Sequence, residues 1–291
     1  MTWLLFALMW CLARLPFHLQ MRIGRMAGYG LAVIPSRRRH VAAVNLALCF
    51  PGLSHAERQL LLHRHMISLG QSLVETAISW WTPTRRLLPL IKLEGLEHYQ
   101  LARAQGRGVI LLIGHFVHME LIGRLLALHA PLHISYRRNK NLLYDAMLRR
   151  VHGRHCSGLI AHTDLRGMYQ VLADNEALWY APDQNYAGKL SAFVPFFGVP
   201  ASTITATSRI ARRSGAALIL VSPERLSSSQ GYRIVLSAPL QGFPGEDEVA
   251  DAARILGCLE QHVRKIPDQY LWVHRRFKTR PPGMPDVYRR G

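Results

Sequence analysis

An α/β fold with a mostly parallel central sheet flanked by helices is what this sequence predicts, on three observations. Residues 109–113 are five consecutive apolar residues fenced by Gly108 and Gly114. They are too few for a helix and too β-branched for a loop, so they read as a strand buried on both faces. Downstream, strand-like and helix-like patterns alternate to the end of the chain, the order expected when crossover helices cover a parallel sheet. Thirdly, the chain of 291 residues has ample apolar material, 49% of its residues, for one sizeable core.

Taken in order, residues 3–13 are apolar throughout and are followed by Arg14. A membrane-spanning helix needs about 20 such residues, so this stretch is too short by itself. Apolar character resumes at residues 15–17 and 27–34, broken by Pro16, His18, Arg22 and Arg25, and a basic cluster (Arg37, Arg38, Arg39, His40) follows. Trp3, Trp10 and the trailing arginines suit a segment anchored in or lying on an anionic membrane face. An N-terminal hairpin packed on the body of a soluble protein is the alternative. A cleaved signal peptide fits less well, because the charge comes after the apolar run.

Ser54 and Glu57 form a capping box that opens a long helix to about Trp81, stopped by Pro83. Residues 93–105 carry a short extended piece and a helix. The buried strand comes next, then a helix over residues 117–128. Residues 132–136 read as a strand, and 142–152 and 165–173 as helices. Residues 176–181 are a strand, 204–213 a helix, 217–222 and 232–238 strands, and 249–266 a helix.

In open parallel sheets ligands collect at the carboxyl ends of strands. His115 stands there, one residue past Gly114, and Glu120 lies five positions on, the only His-x4-acid spacing in the chain. Within one regular helix that offset would put the two about 140° apart. With His115 in the turn, its ring is expected to fold back so that Glu120 holds one nitrogen, fixing the tautomer and stabilising the imidazolium. The plainer alternative is a helix-capping histidine with a solvated glutamate.

Lysine and arginine exceed aspartate and glutamate by 18. Such an excess fits an anionic partner: nucleic acid, an acidic protein, a phosphorylated substrate or lipid headgroups. Arg137 and Arg138, the stretch from Trp179 to Gln184 with Asp183, and the tail with Arg275, Arg276 and Lys278 put charge where the sheet would present its ligand side. Cys11, Cys49, Cys156 and Cys258 are scattered, which argues against a disulfide scaffold or a zinc knuckle. No G-x-S-x-G elbow, Walker A loop, H-E-x-x-H or G-x-G-x-x-G is present, so no metal or cofactor is expected. A histidine base with a carboxylate helper and surplus arginines suits acyl transfer to a hydroxyl on an anionic acceptor.

Many short blocks in one order make the chain resemble the late acyltransferases of lipid A biosynthesis, the lauroyl/myristoyl transferase family. They run from Asn45-Leu46 and Phe50-Pro51 through Gly114-His115-Phe116 with Glu120, Tyr136-Arg137, Asp164 to Met168, and Trp179 to Gln184. Phe193 to Gly198 and the close from Pro267 to Pro281 complete the series. The resemblance implies a fold like that of the glycerol-phosphate acyltransferases. It divides the chain into a membrane-associated segment, residues 1–35, and a single acyltransferase domain, residues 36–291. It further implies the cytoplasmic face of a Gram-negative inner membrane, an acyl carrier protein thioester as donor, and a phosphorylated, partly acylated glucosamine disaccharide (a lipid A precursor) as acceptor.

On that basis His115 is expected to deprotonate the acceptor hydroxyl, with Glu120 orienting it. Arg137 or Arg154 would hold the oxyanion and Asp183 would position one of these arginines or a sugar hydroxyl. Arg275, Arg276 and Lys278 would bind acceptor phosphate or the carrier, and Arg37 to Arg39 would face the membrane. Another glycolipid or a lysophospholipid as acceptor is the near alternative, and a non-catalytic basic membrane- or nucleic-acid-binding protein the distant one; nucleic acid is not the expected partner.

Overall fold

The computed structural model describes residues 2–289. Three helices open the chain: α1 (Thr2–Leu12), α2 (Phe17–Val33) and α3 (Arg37–Cys49). The long α4 (His55–Trp81) begins on the Ser54–Glu57 capping box, with both reciprocal hydrogen bonds made, and is followed by the short α5 (Thr84–Leu87). The remaining elements are β1 (Ile91–Glu94), α6 (Leu96–Ala104), β2 (Val109–Leu112), α7 (Met119–Leu126), β3 (His133–Tyr136), α8 (Leu142–His155) and β4 (Gly158–Ala161). They continue through α9 (Leu165–Ala173), β5 (Ala177–Tyr180), β6 (Ser191–Phe196), β7 (Val199–Ile204), α10 (Ala206–Ser214), β8 (Ala217–Arg225), β9 (Tyr232–Leu236) and α11 (Glu248–Lys265).

Seven strands form one sheet in the order β1-β9-β8-β2-β5-β3-β4. Pairing is parallel except between β8 and β9, so β1 and β9 run against the other five. Strand β2 is the middle strand, and all four of its residues are buried, as an apolar run covered by helices on both faces requires. This is the α/β architecture, mostly parallel and flanked by helices, that the alternating patterns predict.

Two differences from the sequence reading have local causes. Helix α7 begins at Met119, two residues later than expected, because Phe116 bridges Tyr270 in antiparallel fashion and the Val117 N–H donates to the Gln269 carbonyl at 2.9 Å. Phe116 is thus held in a bridge to the C-terminal segment, and Val117 and His118 form a turn before the helix. The hairpin β6–β7 was not expected. Its two-residue turn, Phe197-Gly198, has positive φ at both positions (53° and 76°), the geometry that suits the twist of a tight hairpin. Ile204 therefore ends a strand instead of opening a helix.

The N-terminal helices lie against α4. Gly24, Gly28 and Gly70 bring α2 and α4 into backbone contact: a Cβ on Gly28 would sit 2.5 Å from Ile67 Cα, and one on Gly70 only 2.2 Å from the Gly28 nitrogen. Met21 and Ala32 of α2 join the same apolar core as β2. Among the described residues no helix is long and apolar enough to cross a membrane.

Candidate active site

The pairing with β5 continues one residue past β2, since the Ile113 N–H donates to the carbonyl of Tyr180, the last residue of β5, at 3.0 Å. His115 and Asp183 therefore leave adjacent strands at the same level, at the carboxyl end of the sheet. There the carboxylate grips the histidine twice. Asp183 Oδ1 lies 2.6 Å from His115 Nδ1, and Oδ2 accepts the His115 backbone N–H at 2.8 Å. Tyr270 donates its hydroxyl to Oδ2 at 2.7 Å. Asp183 is 1% exposed. Burial opposes its ionisation, yet the His115 ring and these hydrogen bonds hold the carboxyl well below the usual carboxylate range. Tyr270 is pushed the other way, well above the usual phenol range, by burial and by the same carboxylate, so it stays a donor.

A carboxylate only accepts, so the proton of a neutral His115 sits on Nδ1 and Nε2 carries the lone pair. Nε2 has no hydrogen-bond partner among the described residues, and the His115 side chain is 20% exposed to a cavity of about 690 Å³. That lies within the usual range of about 300–1,000 Å³ for ligand pockets. Its walls are largely apolar, with Met119, Ile134, Leu148, Val151 and Trp179 among them.

The turn bearing His115 is braced by the C-terminal segment. The Leu271 N–H donates to the His115 carbonyl at 2.9 Å, which completes the bridge that Phe116 makes with Tyr270. Asn45 on α3 donates to the carbonyls of Trp272 (2.6 Å) and His274 (2.8 Å) and so fixes that segment in turn. His274 accepts the Asn185 N–H through Nε2, and burial together with the nearby His115 pulls its pKa down to about 4.

Glu120 does not hold His115. Because α7 starts only at Met119, its first turn aims Glu120 toward α4 and α8, where Oε1 accepts from Trp80 Nε1 and pairs with His152 Nε2, both at 2.8 Å. Burial works against its ionisation, but the His152 and Trp80 contacts win and lower its pKa. It borders the same cavity as His115. The expected role of Asp183, steadying an arginine or a sugar, is likewise replaced: its oxygens are spent on His115 and Tyr270. His118 is fully buried beside Tyr232 and does not border the cavity.

The arginines also sort differently from the sequence reading. Arg137 is exposed and borders the cavity, whereas Arg154, exposed on α8, does not. Arg276 is 2% exposed and gives its guanidinium to the Ser202 carbonyl at 2.8 Å and the Thr203 hydroxyl at 2.5 Å, which leaves it no route to a phosphate or a carrier. Arg275 is paired with Asp286 at 3.1 Å and lines a separate depression with Arg37 and His40; Lys278 is exposed. Sequence reasoning missed Tyr270 as a site residue and Asp183 as the partner of His115. Both stood in the blocks quoted above, but the adjacency of β2 and β5 brings Asp183 to His115, and the bridge to Phe116 brings Tyr270.

The family model for bacterial lipid A biosynthesis acyltransferase matches residues 1–279. The chain is 36% identical over 289 residues to the lipid A biosynthesis palmitoleoyltransferase of Escherichia coli K12, covering 99% of this chain and 94% of that protein. Identity and coverage are the same against the lipid A biosynthesis lauroyltransferase of that organism. A lipid A biosynthesis acyltransferase of Haemophilus influenzae is 36% identical over 283 residues, 96% of this chain and 90% of the relative.

Proposed function

The chain belongs to the bacterial lipid A biosynthesis acyltransferases, which makes it an O-acyltransferase, and from that premise we propose a donor, an acceptor and a catalytic pair. The donor is a fatty acyl thioester on acyl carrier protein. The acceptor is a hydroxyl of an acylated, phosphorylated glucosamine-disaccharide precursor of lipid A. The reaction takes place at the cytoplasmic face of the Gram-negative inner membrane, to which residues 1–35 attach the enzyme.

In this reading His115 Nε2 takes the proton of the acceptor hydroxyl as its oxygen bonds to the thioester carbonyl carbon. The C–S bond then breaks, and the imidazolium returns the proton to the departing thiolate. Asp183 keeps the ring in the Nδ1-H tautomer and offsets the positive charge that forms, the part the His-x4-Glu spacing assigned to Glu120. Glu120, ionised on the same cavity wall, favours that charge without touching the ring. Of the two arginines that line the cavity, Arg124 donates to the Thr84 hydroxyl, and exposed Arg137 is the cation for the tetrahedral oxyanion, a role worth about 3 kcal/mol for a key donor. Arg138, Lys140, Arg149, Arg150 and Arg154 are exposed along α8 and the loop before it, with no ion-pair partner among the described residues, and suit an acidic carrier better than the tail arginines do.

The observation that supports this reading most directly is the His115–Asp183 pair opening on a largely apolar cavity. Acyl transfer from acyl carrier protein to the purified precursor tests it. His115→Ala is expected to lose about 10²–10⁴-fold in rate; activity within tenfold of the parent removes the general base.

A further inference from the structure

We propose that α1 and α2 bind an anionic lipid bilayer by lying flat in its interface, without crossing it. This rests on the reading that residues 1–35 attach the enzyme to a membrane and adds the geometry of that attachment. Four independent features carry it.

The first is the surface itself. Helix α1 is apolar on every side, yet of its apolar residues only Phe6 and Met9 are buried. Trp3 (68%), Leu4 (76%), Leu5, Leu8 and Trp10 are exposed, and so are Met26, Tyr29, Val33 and Ile34 along α2 and just past its end. A helix that is apolar all round needs an apolar phase on its outer side as well as its inner one. The second is charge. No aspartate or glutamate occurs before Glu57, whereas Arg14, Arg22, Arg25, Arg37 and Arg38 are exposed. Arg14 stacks on Trp10 at 4.1 Å, an aromatic and a cation held together as the headgroup layer favours. The occupant these two features fit is a bilayer containing anionic lipid.

The third feature is length. The 11 residues of α1 span about 16 Å, against about 30 Å of hydrocarbon. The chain then turns at Pro16, and α2 carries Arg22 and Arg25. The fourth is that neither helix is free to leave the body. Phe6 and Met9 are buried among Ala77, Trp80 and Val151. Arg86 donates to the carbonyls of Arg14 (3.2 Å) and Leu15, and Gln20 to that of Leu12 (2.9 Å), which fixes the corner between α1 and α2. The glycine contacts of α2 with α4 would have to be broken to draw α2 into a bilayer.

Flat docking has a use in the reaction. Helix α1 packs on α4 and shares one apolar cluster with α8, and Leu148 and Val151 of α8 line the cavity that His115 faces. A bilayer in contact with α1 lies one helix away from that cavity, so the acyl chains of a lipid acceptor need not leave an apolar phase to reach it.

The test uses the full chain on phosphatidylglycerol/phosphatidylethanolamine vesicles containing lipids brominated at stepped depths. Trp3 and Trp10 are read as differences between the parent and the variants Trp3→Phe and Trp10→Phe. The two indoles are seven residues apart, about 10 Å along the helix axis. Flat docking predicts that they are quenched at one common depth, and that Arg22→Gln and Arg25→Gln each weaken vesicle binding about fivefold. Depths that differ by about 10 Å overturn the flat geometry while leaving membrane attachment standing. Equal affinity for vesicles of purely zwitterionic lipid overturns the charge complementarity. Absence of both binding and quenching overturns the proposal together with the attachment reading beneath it.

Discussion

Replacing Asp183 by asparagine separates the pairing seen here from the one the His-x4-Glu spacing implies. The carboxylate accepts three hydrogen bonds, from His115 Nδ1 (2.6 Å), the His115 N–H (2.8 Å) and the Tyr270 hydroxyl (2.7 Å). An amide of the same shape can accept on one side only. If its oxygen faces Nδ1, its NH₂ meets the His115 N–H and the Tyr270 hydroxyl, donor against donor. If it turns over, the NH₂ faces Nδ1 and forces the ring proton onto Nε2, so the nitrogen facing the cavity can no longer take a proton. Either arrangement also removes the negative charge that offsets the imidazolium. The expected loss is about 10²–10⁴-fold in kcat, or roughly 3–5 kcal/mol of barrier, with little change in KM. Single-turnover transfer from acyl carrier protein, with circular dichroism to confirm folding, measures it. Tyr270→Phe keeps both bonds to His115 and removes one to a charged group, so it is expected to cost on the order of tenfold in rate and about 1.5–3 kcal/mol in stability. Asp183→Asn within tenfold of the parent, with Glu120→Gln down a thousandfold or more, would return the orienting role to Glu120 and refute the reasoning.

Three further outcomes are expected. Glu75 and Arg225 form a bidentate pair at 2.6 Å, nearly sealed from solvent; Glu75→Ala leaves a buried guanidinium uncompensated and is expected to cost about 3–5 kcal/mol by urea denaturation, a loss under 1 kcal/mol contradicting this. The Cys156 thiol, pushed up to about 12 by burial and next by Glu120, should resist iodoacetamide at pH 8, and Cys156→Ala should transfer at near-parental rate; a trapped acyl thioester there would end the direct-transfer mechanism. His65 and His274 are pulled down to about 4 mainly by burial. In the unfolded chain they take up protons near pH 6.5, so between about 6.5 and 4 the unfolded state binds more protons and stability falls as pH falls. The depressed Asp183 acts in the same sense below the usual carboxylate range. The thermal midpoint should therefore drop from pH 7.5 to pH 5; a flat profile would count against buried neutral histidines.

What the sequence displayed was whatever depends on near neighbours. The capping box at Ser54 and Glu57 begins α4 where it should, and the end at Trp81 follows from Pro83 two residues on. Strand β2 is legible because a strand covered on both faces must be apolar at every position. Strand β4 was not, since four residues at the sheet's edge, only one of them buried, leave too little pattern to read.

The pairing of His115 depends on something else, the order of strands across the sheet. Glu120 is five residues away along the chain and Asp183 sixty-eight, yet β5 lies next to β2, and a strand-end residue meets what leaves the neighbouring strand at its own level. Sequence distance ranks these carboxylates in the wrong order because covalent proximity carries no information on which strands become neighbours. The same logic reassigns the C-terminal block. Its charged residues looked like a substrate clamp, but its backbone bridges Phe116 and ties down the His115 carbonyl, Tyr270 completes the shell of Asp183, and Arg276 is consumed inside the fold. A motif of this length, far from His115 in the chain, therefore acts as a brace for the turn that carries it. Substitutions there should disturb transfer through the position of His115, before they disturb affinity for either substrate.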